Sequence, residues 1–173
     1  MTYLPRHTPS LDHPDAWEHL PNLTAPHRAR PDPPDGSLRL ADTGEYSLFW
    51  SLSFAVSSSQ WIYLRRAFGG FCEEYEGYGG EDTDFAMNLE RYSIPLFWVG
   101  GAHAYHQWHQ VSSPPVEHLQ DIVNNAGLFF DRWGWWPMLG WLEEFHRLGL
   151  AHHDGQRWVC DPAESLQDGS ADS

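Results

Sequence analysis

The amino-acid sequence predicts a mixed α+β fold, α/β in the broad sense, with few strands. Three observations predict it. Ser57 to Ser59 stand just before "QWIYLRRA", which places a hydroxyl where a helix start needs an acceptor. Phe85, Leu89 and Tyr92 fall at i, i+4 and i+7, the spacing of one apolar helix face. Short apolar runs bounded by glycine and serine, "YSLFWSLSFAV" (46–56) and "IPLFWVGG" (94–101), read as strands.

The elements follow in order. Residues 1–44 form a Pro-rich irregular lead-in, because "PHRARPDPPDGS" holds four prolines in 12 residues, and proline removes backbone donors and fixes φ. The packed domain spans 45–160. It opens with a buried strand over 46–56 and continues with the short helix after Ser57. "FGGF" (68–71) is a turn, and a helix is expected over about 82–92. Strand-like segments cover 94–101 and "AHAYHQW" (102–108). A helix from about 115 to 132 has proline near its first turn, and "PMLGWLEEFHRLGL" is amphipathic through Leu139, Leu142, Phe145 and Leu148. The polar, acidic stretch 161–173 is expected to be disordered.

Composition removes several classes of function. The chain has 173 residues and a formal net charge of −14, from 24 acids against 10 Lys and Arg. It carries no basic stripe, so nucleic-acid binding and attachment to an anionic membrane surface are not expected. A phosphorylated small molecule stays open, since a divalent cation can supply positive charge. Ten Trp, seven Tyr and nine Phe suit a core, or a site that stacks sugar rings or bases. Cys72 and Cys160 form no CxxC pair and read as free thiols of a reducing compartment. "MTYLPRHTPS" lacks the features of a signal peptide, and no apolar run is long enough to span a bilayer, so a cytoplasmic location is expected.

The most unusual stretch is "EGYGGEDTDFAMNL" (76–89). Glu81, Asp82 and Asp84 follow directly on Gly77, Tyr78, Gly79 and Gly80. Asp82 stands at an N-cap position, with Glu81 and Asp84 favouring the positive end of the helix dipole. The same carboxylates suit a second use. Glycines let a ligand approach the backbone, Tyr78 can stack on a sugar ring, and a carboxylate on such a turn can take a proton from a hydroxyl. Spacing alone leaves both uses open.

His103, His106 and His109 recur every third residue in "GGAHAYHQWHQ". On a strand, 103 and 109 share a face and 106 points the other way. One metal ligand from this stretch is more plausible than a closed zinc cage, which wants more converging ligands. The plain alternative is a hydrogen-bonded histidine.

The run "FGGFCEEYEGYGGEDTDF" (68–85), followed by "VGGAHAYHQWH" (99–109), resembles the C-terminal part of galactosyltransferase-like GT-A glycosyltransferases. That segment is shared by β-1,4-galactosyltransferases, polypeptide GalNAc-transferases and bacterial family 2 enzymes. Gly77 to Asp84 follows the family pattern F-x-G-[WY]-G-G-E-D-x-D, and the likeness covers about residues 45 to 110. It implies an inverting, metal-dependent transfer of a sugar from a nucleotide-sugar, UDP-linked, to a hydroxyl of a glycan or glycolipid. Asp82 then matches the general base and Glu81 the acid that holds the acceptor. Tyr78, Gly79, Gly80, Asp84 and Trp108 fall in the donor and acceptor walls. His106 matches a ligand of Mn2+ (or Mg2+), with His109 as the fallback.

One part of the family pattern is absent. No Gly-rich βαβ start and no Asp-x-Asp at a strand end precede residue 45, and "LDHPD" (11–15) and "PDPPDG" (31–36) sit in proline-rich chain. The expectation is therefore the C-terminal half of a GT-A fold, without the N-terminal nucleotide-binding βαβ region. A truncated reading frame, a mis-assigned start or a split enzyme whose separate chain carries the Asp-x-Asp half would each produce it. Such a half exposes an apolar sheet edge and should self-associate. Two other classes compete: a non-catalytic carbohydrate-binding or regulatory remnant using Tyr78, Trp108 and "RWGWWPMLGW" (132–141), and a small zinc protein built on the histidines.

Overall fold

The computed structural model describes residues 2–7 and 16–162. The "LDHPD" run of 11–15 and the acidic tail from residue 163 onward lie outside the described residues. In chain order the elements are β1 (Thr2–Tyr3), α1 (Ala16–Leu23), β2 (Ala25–Pro26), β3 (Leu38–Leu40), α2 (Ser58–Phe68), α3 (Glu81–Arg91), β4 (Phe97–Val99), β5 (Tyr105–His106), α4 (Leu119–Trp133), α5 (Leu139–Arg147), β6 (Ala151–His153) and β7 (Trp158–Cys160). The fold is mixed α+β with small sheets. Among the described residues no helix is long and apolar enough to cross a membrane.

By compactness the chain divides into two units. One comprises Met1–Gly70 and Phe85–Gln110, the other Phe71–Asp84 and Val111–Ser173. The residues expected as a lead-in group with the first unit. They are also not wholly irregular, since β1, α1, β2 and β3 fall among them. For β1 and β3 the physical reason is that strands beyond residue 45, β5 and β4, supply hydrogen-bond partners. β1 lies between β2, antiparallel, and β5, parallel. β3 pairs antiparallel with β4, setting Arg39 opposite Trp98.

In the first unit α2 starts as its sequence requires. Ser57 Oγ accepts from Gln60 N–H at 3.3 Å, while Ser57 N–H donates to Gln60 Oε1 at 3.3 Å, a reciprocal capping box. The helix ends at Gly69, whose φ of 90° is left-handed and whose N–H donates to Arg65 O at 3.1 Å. Phe49, Leu64, Phe85 and Leu89 are buried at its centre, with the Phe85 ring 5.7 Å from Phe49 and 5.6 Å from Phe68.

The strand expected over 46–56 does not form. A 3-10 turn, Glu45–Leu48, takes its first residues, and irregular chain follows as far as the Ser57 cap. The aromatics are satisfied at a spacing of three instead of two: Tyr46 and Phe49 are buried, and Tyr46 O–H donates to Ile94 O at 2.9 Å. Leu52, Phe54 and Val56 are left exposed.

In the second unit a 3-10 turn, Val116–His118, leads into α4. Ile122, Val123 and Ala126 of α4 pack with Leu142 and Phe145 of α5 and with Ala151, all buried. The α5 face is narrower than its spacing suggested, because Leu139 and Leu148 remain exposed at its ends. The hairpin β6–β7 closes the unit, and its turn is tied by Asp154 Oδ1, which accepts from Gln156 N at 2.8 Å and Arg157 N at 2.7 Å. The sequence reading missed this hairpin, although "DG" at 154–155 is a turn signal.

Candidate functional site

The stretch from Glu76 to Asp84 lies wholly in the second unit. Gly77, Gly79 and Gly80 all have left-handed backbone, with φ of 68°, 94° and 98°. Their missing side chains serve the protein itself. A Cβ on Gly77 would stand 2.1 Å from Asp121 Oδ2, and one on Gly79 would stand 2.7 Å from Met138 Sδ. On Gly80 it would meet Tyr75 Cε1 at 3.0 Å. So at Gly79 and Gly80, expected to face a ligand, the close neighbour is a side chain of the same unit.

Asn125 of α4 clamps this turn. Its Nδ2 donates to Glu76 O at 2.8 Å and to Tyr78 O at 3.2 Å, and Glu76 N–H donates to its Oδ1 at 3.4 Å. The Tyr78 ring, 42% exposed, stacks on the His118 imidazole, with centroids 4.6 Å apart and planes 12° apart. Trp141 lies 6.0 Å away, tilted by 33°.

The helix begins at Glu81 rather than Asp82, and Gly80 O accepts the first helical bond, from Asp84 N at 2.9 Å. This corrects the capping expectation: Asp82 lies inside the first turn, and its buried Oδ1 has no hydrogen-bond partner. Glu81 Oε2 is likewise buried and without a partner. Burial raises the Glu81 pKa above its ordinary value, and the Asp82 charge adds to this, against the backbone amides of Glu81 and Gly79. An orphaned carboxylate oxygen costs desolvation energy, so a proton or hydroxyl brought to it is favoured.

Asp84 is the opposite case. It is fully buried, and it accepts from Arg132 Nε at 2.6 Å, Arg132 Nη2 at 3.3 Å and Trp133 Nε1 at 2.7 Å. Tyr75 O–H adds a fourth donor at 3.3 Å. Burial, and then the Asp84 charge, push the Tyr75 phenol above its ordinary value. The likeness set Asp84 in a ligand wall. Its oxygens are instead committed to fixing the start of α3 on the end of α4.

The histidines belong to the first unit. The strand there is only two residues long, so strand alternation does not extend to His109. The expected pairing of 103 with 109 therefore gives way: His106 and His109 converge, Nε2 to Nε2 at 3.1 Å, while His103 Nε2 lies 4.0 Å from Asp32 Oδ1. In that hydrogen bond one Nε2 donates and the other accepts, according to the tautomer. The same separation fits two cis ligands of one divalent ion, since nitrogens bound at about 2.1 Å stand roughly 3.0–3.4 Å apart. Among the described residues no group of three or more His, Cys, Asp or Glu converges as a cage. The pair thus fits as a partial ligand set, to be completed by oxygens of water or of a substrate phosphate. Trp108 is 45% exposed, with the Arg6 guanidinium 5.1 Å from its ring centre.

The tryptophans of 132–141 are drawn into packing. Trp133 serves Asp84, Trp135 meets Phe129 edge-on at 4.7 Å, and Trp136 stacks on Phe130 at 4.3 Å. Cys72 and Cys160 are both free thiols.

Sequence reasoning missed Asn125 and Arg132, which hold the turn and the buried acid. A signal was available: they follow Ile122 and Phe129 on one helical stripe of α4, so two polar side chains stand in an apolar register. Comparison with family models, with curated proteins and with solved structures finds no match to this chain.

Proposed function

We propose that the chain works as a galactosyltransferase-like glycosyltransferase of the cytoplasm, moving a sugar from a UDP-linked donor to a glycan or glycolipid hydroxyl. One observation carries the reading. Glu81 and Asp82 stand side by side after a left-handed glycine turn, each with a buried carboxylate oxygen that has no hydrogen-bond partner among the described residues.

The two acids divide the work by environment. Asp82 Oδ1 takes the proton of the acceptor hydroxyl as the hydroxyl oxygen bonds to the anomeric carbon. The bond from that carbon to the diphosphate oxygen breaks, and the configuration inverts. Glu81, whose pKa burial raises above its ordinary value, offers its buried oxygen to hold the acceptor by a hydrogen bond. Mn2+ or Mg2+, when held by His106 and His109, supplies positive charge for the departing diphosphate. The link between the histidine pair and the acids rests on the sequence resemblance.

The test is calorimetry with UDP, with and without Mn2+, on wild type, His106→Ala and Asp82→Asn, followed by a transfer assay. Manganese-dependent binding that is lost in His106→Ala is expected. Asp82→Asn should keep that binding and lower kcat/KM by about 10²–10⁴-fold, the usual weight of a general base. No binding at millimolar UDP would overturn the reading of this chain as a donor-binding enzyme. It would favour the second reading, a non-catalytic carbohydrate-binding remnant, for which the exposed rings of Trp108 and Tyr78 are the supporting observation. In that case glycan binding would survive Asp82→Asn unchanged.

A further inference from the structure

The first unit contains a cavity of about 770 Å3 that the reading above does not use. Its size falls within the range of small-molecule pockets. It exists because 46–56 is not a strand: the irregular chain there leaves a recess against α2 and the residues before β4. The buried side chains of Phe49, Leu64, Phe85 and Leu89 form its floor. Around them Phe54 is 44% exposed, Val56 38% and Tyr63 56%, so the cavity carries apolar surface out to solvent. Contiguous exposed apolar surface of this kind marks ligand grooves.

The polar lining holds one permanent cation, Arg30, and one carboxylate, Asp32, beside the imidazoles of His27 and His103. These groups are positioned rather than loose. The Arg30 guanidinium lies 5.3 Å from the Trp50 ring centre and 5.2 Å from that of Trp98, and the His27 ring meets Trp50 edge-on at 4.8 Å. A guanidinium presents its N–H donors in a planar fork that matches a carboxylate.

We propose that this cavity binds an amphiphile with one anionic head and an apolar body, of the class of a medium-chain fatty carboxylate. The head lies at Arg30, and the body lies on Phe49, Leu64 and Phe85 beneath Phe54 and Tyr63. The site is complete within the first unit and does not depend on the glycosyltransferase reading.

The test uses the full chain and 1-anilinonaphthalene-8-sulfonate, an aromatic body with one anionic group. Its saturable fluorescence is displaced with laurate and, separately, with dodecanol, which has the same chain without the charge. Laurate is expected to displace at a concentration about tenfold below dodecanol. Arg30→Gln should abolish that difference, and Arg30→Lys should restore most of it. Ser53→Trp and Val56→Trp, both at exposed lining positions, should fill the cavity and remove displacement while leaving the melting temperature unchanged. Independently of any variant, laurate should shift the wild-type backbone amide resonances of 27–30, of Asp32 and of 49–56. Equal displacement by the two ligands, displacement that persists in folded Ser53→Trp and Val56→Trp, or amide shifts confined to other segments would each overturn the proposal.

Discussion

Asp82 and Asp84 stand two residues apart in the first turn of one helix, with identical side chains and opposite surroundings. Two residues turn an α-helix by roughly 200°, so the carboxylates leave it on opposite sides. Asp84 is enclosed by Arg132, Trp133 and Tyr75. Asp82, with Glu81 beside it, keeps a buried oxygen that nothing satisfies. The contrast separates two uses of acids that look alike in a run of sequence. A carboxylate with its donors supplied holds the fold, and one without them is open to chemistry.

The largest effect is expected from removing the satisfied acid. Asp84→Ala strips Arg132 and Trp133 of their acceptor and should destabilise the protein by about 3 kcal/mol. That is the lower end for a buried pair, because the Arg132 side chain stays 33% exposed. A urea melt reads it as a shift of the midpoint at constant slope. A loss below about 1 kcal/mol would mean that Asp84 is not the anchor. Asp82→Asn, set against it, should change transfer and leave the midpoint in place.

The glycine turn sharpens the comparison. Gly79→Ala puts a Cβ 2.7 Å from Met138 Sδ at a φ of 94°, so backbone strain and overpacking combine to about 2 kcal/mol. Gly134→Ala has a similar φ, 75°, but nothing within 4 Å, and should cost about 1 kcal/mol from backbone alone. The difference between the two melts isolates the Met138 contact.

The smallest effect is a pH dependence. The folded pKa of Glu81 is raised, chiefly by burial, so the folded state keeps this proton after the unfolded chain has released it. Its contribution is present below the unfolded carboxyl range and is lost as pH rises toward the raised folded value. Glu81→Gln removes that loss. The melting temperature of the variant relative to wild type should climb as pH increases from the ordinary carboxyl range toward neutrality. A constant difference across that range would place Glu81 in water, and its role beside Asp82 would fall with it.

How much was legible followed the range of the interaction. The α2 cap was written locally, because the Ser57 hydroxyl and the Gln60 amide lie within one turn. The start of α3 was found to within one residue, and nearly all of α4 falls in the stretch where a helix was expected. The segment 46–56 misled because its apolar alternation suits a strand, yet a strand forms only where another strand accepts its backbone bonds. The histidine register misled for a related reason: a two-residue strand does not carry its alternation as far as His109.

The sequence by itself therefore determined the mixed α+β class, the cap of α2 and a glycine turn running into the acids that open α3. Those depend on neighbours within a few residues. Only the tertiary structure decided which acid is satisfied and which is not. The donors of Asp84 lie 48 and 49 positions away on α4, and no local pattern encodes a partner at that distance. It also decided that His106 and His109 converge, and that the chain after Tyr46 leaves a cavity where a strand was expected. Each of these follows from long-range packing, which assigns every polar group either to a protein partner or to none.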